Sequence, residues 1–181
     1  MVSKKTLARR LAVLALALVP VFGVVPAAQA SPLASPAGNV ADAPADAVAS
    51  LETHFLDLLN ADRQAHGLEP LQFDTELASV ARWRSEDMAQ RDYFSHDIGG
   101  YMVFQVLKDR GIAYRVAGEN LAYNTHGANE TAPAAERALM ASPTHRDNIL
   151  RADYTHVGVG VAVGPDGKYL YTQLFKAAWE A

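Results

Sequence analysis

One stretch of the chain alternates strictly between large and small side chains. Valine stands at every second position, with glycine or alanine between (Val157, Gly158, Val159, Gly160, Val161, Ala162, Val163). A period of two is typical of a β-strand, whose successive side chains point to opposite faces. One face of this strand can therefore fill a core, whereas the other is small enough to lie close against a helix.

A second strand follows this one. Gly164-Pro165-Asp166-Gly167 supplies turn residues, and residues 169–175 are rich in aromatic and branched side chains, so an antiparallel hairpin is predicted. Residues 114–123 also look extended, and short helices are predicted at residues 102–110 and 131–140. Because helices come first and the hairpin last, the order favours an α+β layered domain over a parallel βαβ fold.

Helical periodicity dominates the first part of the domain. Apolar residues recur at helical spacing between Leu51 and the stop signal at Gly67, with Ser50 able to cap the start. Asp74 is placed to cap a second helix. The apolar stripe of that helix includes one arginine, Arg84.

The first residues of the chain have the pattern of an export signal. A basic segment precedes an apolar run shorter than the roughly 20 residues of a transmembrane helix, and Ala28-Gln29-Ala30 fits a cleavage site. We expect residues 1–30 to be a signal peptide cleaved after Ala30, with an uncleaved anchor as the alternative. Residues 31–50 are rich in Ala and Pro and predict a disordered linker, followed by one domain at residues 51–178.

Charge and cysteine content narrow the location and the partners. The chain has a net charge of −4 and no cysteine, so an exported domain of this kind depends on its core instead of disulfides. No basic run follows the signal, which argues against nucleic acid or an anionic membrane as the main partner. We expect a secreted or extracytoplasmic protein, at the cell surface or in the periplasm, that meets a membrane only through an uncleaved signal.

Three stretches carry residues that can do chemistry. In Ser142-Pro143-Thr144-His145-Arg146-Asp147-Asn148-Ile149-Leu150, the serine is placed to cap a helix and the proline suits its first position. His145 then lies in the first turn, where the helix dipole disfavours an imidazolium. A neutral imidazole can bind a metal or accept a proton. The other two stretches are Phe94-Ser95-His96 and Gly118-Glu119-Asn120.

Together these stretches resemble the CAP (SCP/PR-1-like) superfamily, in its bacterial secreted branch. Leu59-Asn60-Ala61-Asp62-Arg63, Gly67-Leu68-Glu69-Pro70-Leu71 and Gln173-Leu174-Phe175 fit the same order, so the resemblance covers nearly all of residues 51–176. It implies an α-β-α sandwich of the CAP/SCP type, with a central antiparallel sheet flanked by helices.

The resemblance also implies a central cleft with two histidines and two acidic residues, sometimes with a divalent metal on the histidines. Carried over by motif, the residues present are His96, Glu119 and His145. The position of the second acid falls on Ser142, so the family's acidic pair is incomplete in this chain. Asn120 and Asn148 match family positions, where we expect their amides to hold backbone around the cleft.

These residues allow a metal site. Two neutral imidazoles supply two ligands for zinc or another divalent metal, and a catalytic zinc usually has a third protein ligand and a water. Glu119 can be that third ligand, or the acceptor that orients one ring. The alternative is a pair of structural histidines beside a hydrogen-bonded glutamate.

A hydrolase would use the same residues differently. Ser95 or Ser142 would be the nucleophile, a histidine its base and Glu119 the orienting acid. However, Ser95 directly precedes its histidine, Ser142 has a simpler role as a cap, and no G-x-S-x-G motif is present. We therefore assign no catalytic residue and favour a binding module over an extracellular hydrolase of peptide or cell-wall material. The resemblance implies an extracellular lipid or sterol, glycan or protein ligand; a purely structural surface module is the third possibility.

Overall fold

The computed structural model describes residues 45–179, which form five helices and four strands. In chain order these are α1 (Ala45–Ala65), β1 (Gln72–Phe73), α2 (Thr75–Arg91), α3 (Val103–Asp109), β2 (Val116–Asn124), α4 (Ala128–Ala141), α5 (Pro143–Ile149), β3 (His156–Val163) and β4 (Tyr169–Ala177). Within this part of the chain, the helices are too short or too polar to cross a bilayer. The expected signal peptide, its cleavage after Ala30 and most of the expected linker lie outside the described residues.

The four strands form one sheet in the order β1-β3-β4-β2. The predicted hairpin is confirmed as β3 and β4, with Val163 opposite Tyr169 beside the turn. Strand β2 runs antiparallel to β4, with Glu119 opposite Leu174. Strand β1, which the sequence pattern did not predict, pairs in parallel with β3. The antiparallel prediction therefore holds for three strands, and the parallel edge strand makes the sheet mixed.

Helices cover both faces of the sheet, which confirms the α-β-α arrangement. On one face the valines of β3 pack with apolar residues of α1, α4 and α5 (Phe55, Leu59, Ala132, Ala135, Leu139, Ile149). On the other face α2 and α3 pack against β4 (Leu77, Val80, Ala81, Val106, Leu107, Leu174). Each large apolar side chain buried in this way contributes about 1.5–3 kcal/mol to folding.

The small face of β3 lies directly against the backbone of α2. A Cβ atom at Gly158 would lie 2.2 Å from the Ala78 nitrogen, and one at Gly160 would lie 2.2 Å from the carbonyl carbon of Ala81. One turn further along α2, the Ser85 hydroxyl donates to the Gly160 carbonyl at 3.0 Å. The expectation that this face admits a helix is therefore confirmed.

The start of α2 is as predicted, whereas the start of α1 is not. Asp74 caps α2, its carboxylate accepting from two backbone N–H groups of the first turn at 2.9 Å. Helix α1 begins at Ala45 instead of near Ser50, so the end of the stretch assigned to the disordered linker is helical. Ser50 donates its hydroxyl to a carbonyl within this helix. The earlier start has a physical reason, since Val48 packs against the core.

Replacing Gly158 with alanine should lower the free energy of unfolding by about 3 kcal/mol, because the new methyl group meets helix backbone, which cannot rotate aside. Denaturant unfolding followed by circular dichroism measures the change. Gly127→Ala is the matched control, because its Cβ would meet nothing within 4 Å and its φ of −64° suits any residue. Equal stability of the two variants would contradict the close contact between α2 and β3.

Candidate functional site

The loop after α2 contains His96 and contacts strand β2. Asp92 ends the helix in the left-handed conformation, with φ of 48°. Beyond it, the Phe94 ring meets Tyr123 of β2 edge to face, with centroids 4.8 Å apart. His96 meets Glu119 of the same strand. Since alternate residues of a strand share a face, these two contacts anchor the loop to one face of β2.

Glu119 is a buried carboxylate with both oxygens engaged. Its Oε2 lies 2.6 Å from Nδ1 of His96, and its Oε1 accepts from Nε of Arg84 at 3.1 Å. The side chains of Glu119 and Arg84 are 2% and 0% exposed, whereas that of His96 is 44% exposed. The geometry therefore places Glu119 as the acceptor that orients His96 through Nδ1, so Nε2 of this partly exposed ring is the nitrogen left for a ligand.

His145 is held in the same way, by a different partner. Its Nδ1 lies 2.8 Å from Oγ of Ser142, and either atom can donate in this pair. The side chain of Ser142 makes no capping hydrogen bond to α5, so the predicted cap is wrong, although Pro143 does occupy the first helical turn. The Ser142 hydroxyl is hydrogen-bonded to the His145 ring instead. Ser142 stands at the position where the family resemblance places a second acid.

The electrostatics of His145 favour a neutral ring. Burial lowers the pKa of His145 below its ordinary value, and repulsion from His96 lowers it further. The neutral ring agrees with the sequence expectation, and burial is its largest cause.

Asn120 on β2 and Asn148 on α5 form a network of amide hydrogen bonds beside the two histidines. The Asn120 amide donates to the carbonyl of His145 and to Oε1 of Gln173, both at 3.0 Å. The Asn148 amide donates to Oδ1 of Asn120 at 2.9 Å and to the carbonyl of Glu119 at 3.4 Å. Three of these bonds connect β2 with α5, and the bond to Gln173 connects β2 with β4.

The structure does not bring Ser95 into a catalytic position. Its hydroxyl accepts from the backbone N–H of Asp97 at 3.0 Å and serves the loop. Among residues 45–179, no group of three or more histidine, aspartate and glutamate side chains is arranged to hold a metal ion. A metal in this cleft would therefore take two protein ligands from the described chain, His96 and His145, with Glu119 orienting the first.

Two buried residues of the site escaped the sequence analysis. Arg84, which holds Glu119, was visible as an arginine in an apolar stripe, but the stripe does not reveal its partner. Glu136 on α4 stands among buried alanines and a leucine of the helix's inner face. Its Oε2 accepts from Nε2 of Gln173 at 2.7 Å, so it ends the amide network under the cleft.

Glu136 carries its proton near neutral pH. Burial raises the pKa of Glu136 to about 8, and repulsion from Asp62 adds to the rise. Its Oε1 is buried and has no hydrogen-bond partner within the described chain. The network below the histidines is therefore polar but nearly free of net charge at neutral pH.

The sequence of this domain matches a known family. The model of the cysteine-rich secretory protein family, CAP, matches residues 56–175, which include both cleft histidines and Glu119. The chain belongs to the CAP family. Since the chain contains no cysteine, its CAP domain folds without disulfides.

Relatives of this CAP domain include longer bacterial proteins. The chain is 36% identical over 149 residues to YkwD of Bacillus subtilis (strain 168), a match that covers 82% of this chain and 55% of YkwD. It is 32% identical to an extracellular protein containing an SCP domain from Bacillus anthracis str. Ames, whose crystal structure superimposes with a TM-score of 0.62 over 71% of this chain and 40% of that one. The chain thus spans about half the length of these relatives.

A more distant structure shares the fold alone. The crystal structure of NaASP2 with Zn²⁺ superimposes with a TM-score of 0.54 at 12% identity, over 75% of this chain and 84% of that chain.

Glu136→Gln should flatten the pH dependence of stability. Because the pKa of Glu136 is higher in the folded state, its contribution to the free energy of unfolding is fully present below the ordinary pKa of 4.5. This contribution is lost as the pH rises to the folded-state value of about 8. The loss is on the order of 4 kcal/mol, at about 1.4 kcal/mol per pKa unit. Denaturant unfolding at about pH 5 and pH 9, which lie on either side of the folded-state pKa and both above the ordinary value of 4.5, measures most of this loss.

Glu130→Gln on the same helix is the control, because the Glu130 side chain is 68% exposed. Only Glu136→Gln should narrow the gap between the two pH values. A variant with the full wild-type loss would contradict the buried, protonated carboxyl group.

Proposed function

We propose that this CAP domain is an extracellular binding module whose cleft holds a divalent metal, preferably zinc, on the Nε2 atoms of His96 and His145. The observation that carries the proposal is the use of the opposite ring nitrogen. Nδ1 of His96 is paired with Glu119, and Nδ1 of His145 with Ser142. Histidines that bind metals nearly always have the other nitrogen hydrogen-bonded, because this bond sets the orientation and tautomer of the ring.

The donor chemistry supports zinc over the hard cations. Imidazole nitrogen suits zinc, copper and nickel, whereas calcium and magnesium prefer oxygen ligands. The lowered pKa of His145 keeps that ring neutral and its lone pair available at neutral pH. When bound, the metal would offer its open coordination positions to an oxygen atom of the extracellular ligand.

Location and ligand class rest on separate support. Residues 1–30 have the pattern of an export signal, and the relative from Bacillus anthracis is an extracellular protein. NaASP2, which shares the fold, was crystallised with Zn²⁺. The CAP resemblance adds lipids or sterols, glycans and proteins as the ligand classes to be tested on the metal-loaded cleft.

Zinc titration of the whole chain by calorimetry should show saturable binding. The His96→Ala/His145→Ala variant should lose it, because both protein ligands are gone. Ser142→Ala should weaken it by about 10- to 100-fold, since the ring keeps its nitrogen but loses the bond that orients it.

His126→Ala is the control, because His126 lies exposed in a loop. Its titration should match that of the wild type. Absence of binding by a folded wild-type chain would overturn the metal proposal, and equal binding by the double variant would place the metal elsewhere.

One observation favours a second candidate, a serine hydrolase. Ser142 Oγ lies within hydrogen-bond reach of His145, as a nucleophile lies beside its base. Against this candidate, Glu119 orients the other histidine, so the described residues place no acid against His145. The hydrogen bond between Ser142 and His145 fits both functions, but the proton lies on different atoms. A metal on Nε2 requires that Nδ1 donates to Ser142, whereas a serine nucleophile requires that Ser142 donates to Nδ1.

A serine-directed phosphonate probe separates the two candidates. We expect no covalent labelling of the wild-type chain, because the pair lacks an orienting acid. Mass spectrometry of the treated protein gives the result, and labelling that disappears in Ser142→Ala would favour the hydrolase instead.

A further inference from the structure

Arg84 is an arginine buried in the apolar face of α2. Leu77, Val80, Ala81 and Met88 of the same face are each at most 1% exposed, and so is Arg84 itself. Moving a cation from water to such a place is costly, and the cost is recovered only when its donors find good acceptors. The guanidinium group must therefore have hydrogen-bond acceptors at its buried position.

All three nitrogens of the guanidinium group donate to the site. Nε donates to Oε1 of Glu119 at 3.1 Å, Nη1 to the hydroxyl of Tyr93 at 2.7 Å, and Nη2 to the carbonyl of Ser95. The first acceptor is the carboxylate that orients His96. The third is the backbone carbonyl that directly precedes His96. One rigid, planar group thus holds both the orienting partner of the ring and the chain that carries it.

The remaining arm of Arg84 is anchored back on its own helix. The Tyr93 hydroxyl accepts from Arg84 and donates to the carboxylate of Asp87, which is also on α2. Burial and the bond to Asp87 raise the pKa of Tyr93 to about 12, so the hydroxyl keeps the proton that it donates. The position of the guanidinium group is therefore set by α2, whose backbone lies directly against β3.

We propose that Arg84 is the positioning residue of the cleft. Its guanidinium group fixes the direction of the Glu119 carboxylate and the position of the loop at Ser95. It thereby holds His96 with Nδ1 protonated and Nε2 free. The proposal rests on the cleft function proposed above, because it assigns a role within the same site. Arg84 touches no ligand in this role and acts through Glu119 and the Ser95 carbonyl.

The chain supplies a matched control on the same helix. Arg82 also pairs with a buried glutamate, Glu52, through Nε at 2.8 Å and Nη2 at 2.7 Å. Glu52 accepts from the backbone N–H of Val161 on β3, so this pair serves the other edge of α2. Arg82→Lys and Arg84→Lys therefore remove the fork from two arginine–glutamate pairs on one helix, although Arg82 is 44% exposed and Arg84 is fully buried. Of the two pairs, Arg84–Glu119 is the one that reaches His96.

The experiment measures the His96 tautomer by ¹⁵N NMR in the metal-free chain, at about pH 8, where free histidine is neutral. The wild type and Arg82→Lys should show the Nδ1–H form alone. Arg84→Lys should show a mixture of both tautomers, because lysine has a single nitrogen in place of the planar fork whose separate nitrogens reach Glu119 and the Ser95 carbonyl. Zinc affinity should fall by about 10- to 100-fold in Arg84→Lys alone.

A second variant covers the case in which Arg84→Lys does not fold. Arg84→Met/Glu119→Gln removes both buried charges together, so neither is left unpaired. It is compared with Glu119→Gln, which keeps Arg84 on the Ser95 carbonyl. The double variant should show a larger share of the second His96 tautomer than Glu119→Gln and bind zinc more weakly, because the loop that carries His96 has lost its anchor. A single Nδ1–H form with wild-type affinity in either variant would overturn the positioning role.

The two readouts separate the two proposals. If the wild type binds no zinc but Arg84→Lys still mixes the His96 tautomers, the metal proposal fails and the positioning role of Arg84 stands. If the wild type binds zinc and Arg84→Lys changes neither tautomer nor affinity, the positioning role fails and the metal site stands. Equal changes in Arg82→Lys and Arg84→Lys would reduce Arg84 to a general stabilising role and overturn the inference.

Discussion

The contact between α2 and β3 is the constraint on which the rest of the structure depends. Gly158 and Gly160 have no Cβ, so the helix backbone lies directly on the sheet, where a larger side chain would meet backbone atoms at 2.2 Å. From this position α2 carries Arg84 to Glu119 on β2, and Glu119 in turn meets His96. The orientation of the exposed histidine therefore follows from close packing inside the domain, although His96 itself lies on a loop.

The buried polar groups near both histidines carry little net charge. The buried Arg84 and Glu119 neutralise each other, and every guanidinium nitrogen has an acceptor. Under His145 the polar groups are amides, and they end at Glu136, whose raised pKa keeps it protonated near neutral pH. A buried polar network without net charge avoids most of the desolvation cost of ions. Burial also favours the neutral form of His145, as a metal ligand requires.

Local patterns were sufficient where a few neighbouring residues decide the structure. The alternation around Val159 predicted β3 and its small face, and Asp74 predicted the start of α2. Local patterns did not predict structure that depends on a residue distant in the sequence. Strand β1 is two residues long and exists through its pairing with β3, and Ser142 turns from the helix terminus to His145. Periodicity in one segment carries no information about such partners.

The sequence by itself determined the family and the order of the elements other than β1, and it predicted the three cleft residues His96, Glu119 and His145, because their motifs lie in short stretches with a specific spacing. The tertiary structure alone decided what these residues do to one another. It turned Glu119 towards His96 and Arg84 instead of into the cleft as a third ligand, and gave Ser142 to His145. The physical reason is that a hydrogen bond depends on distance and direction in space, and these arise only when helix and sheet pack together.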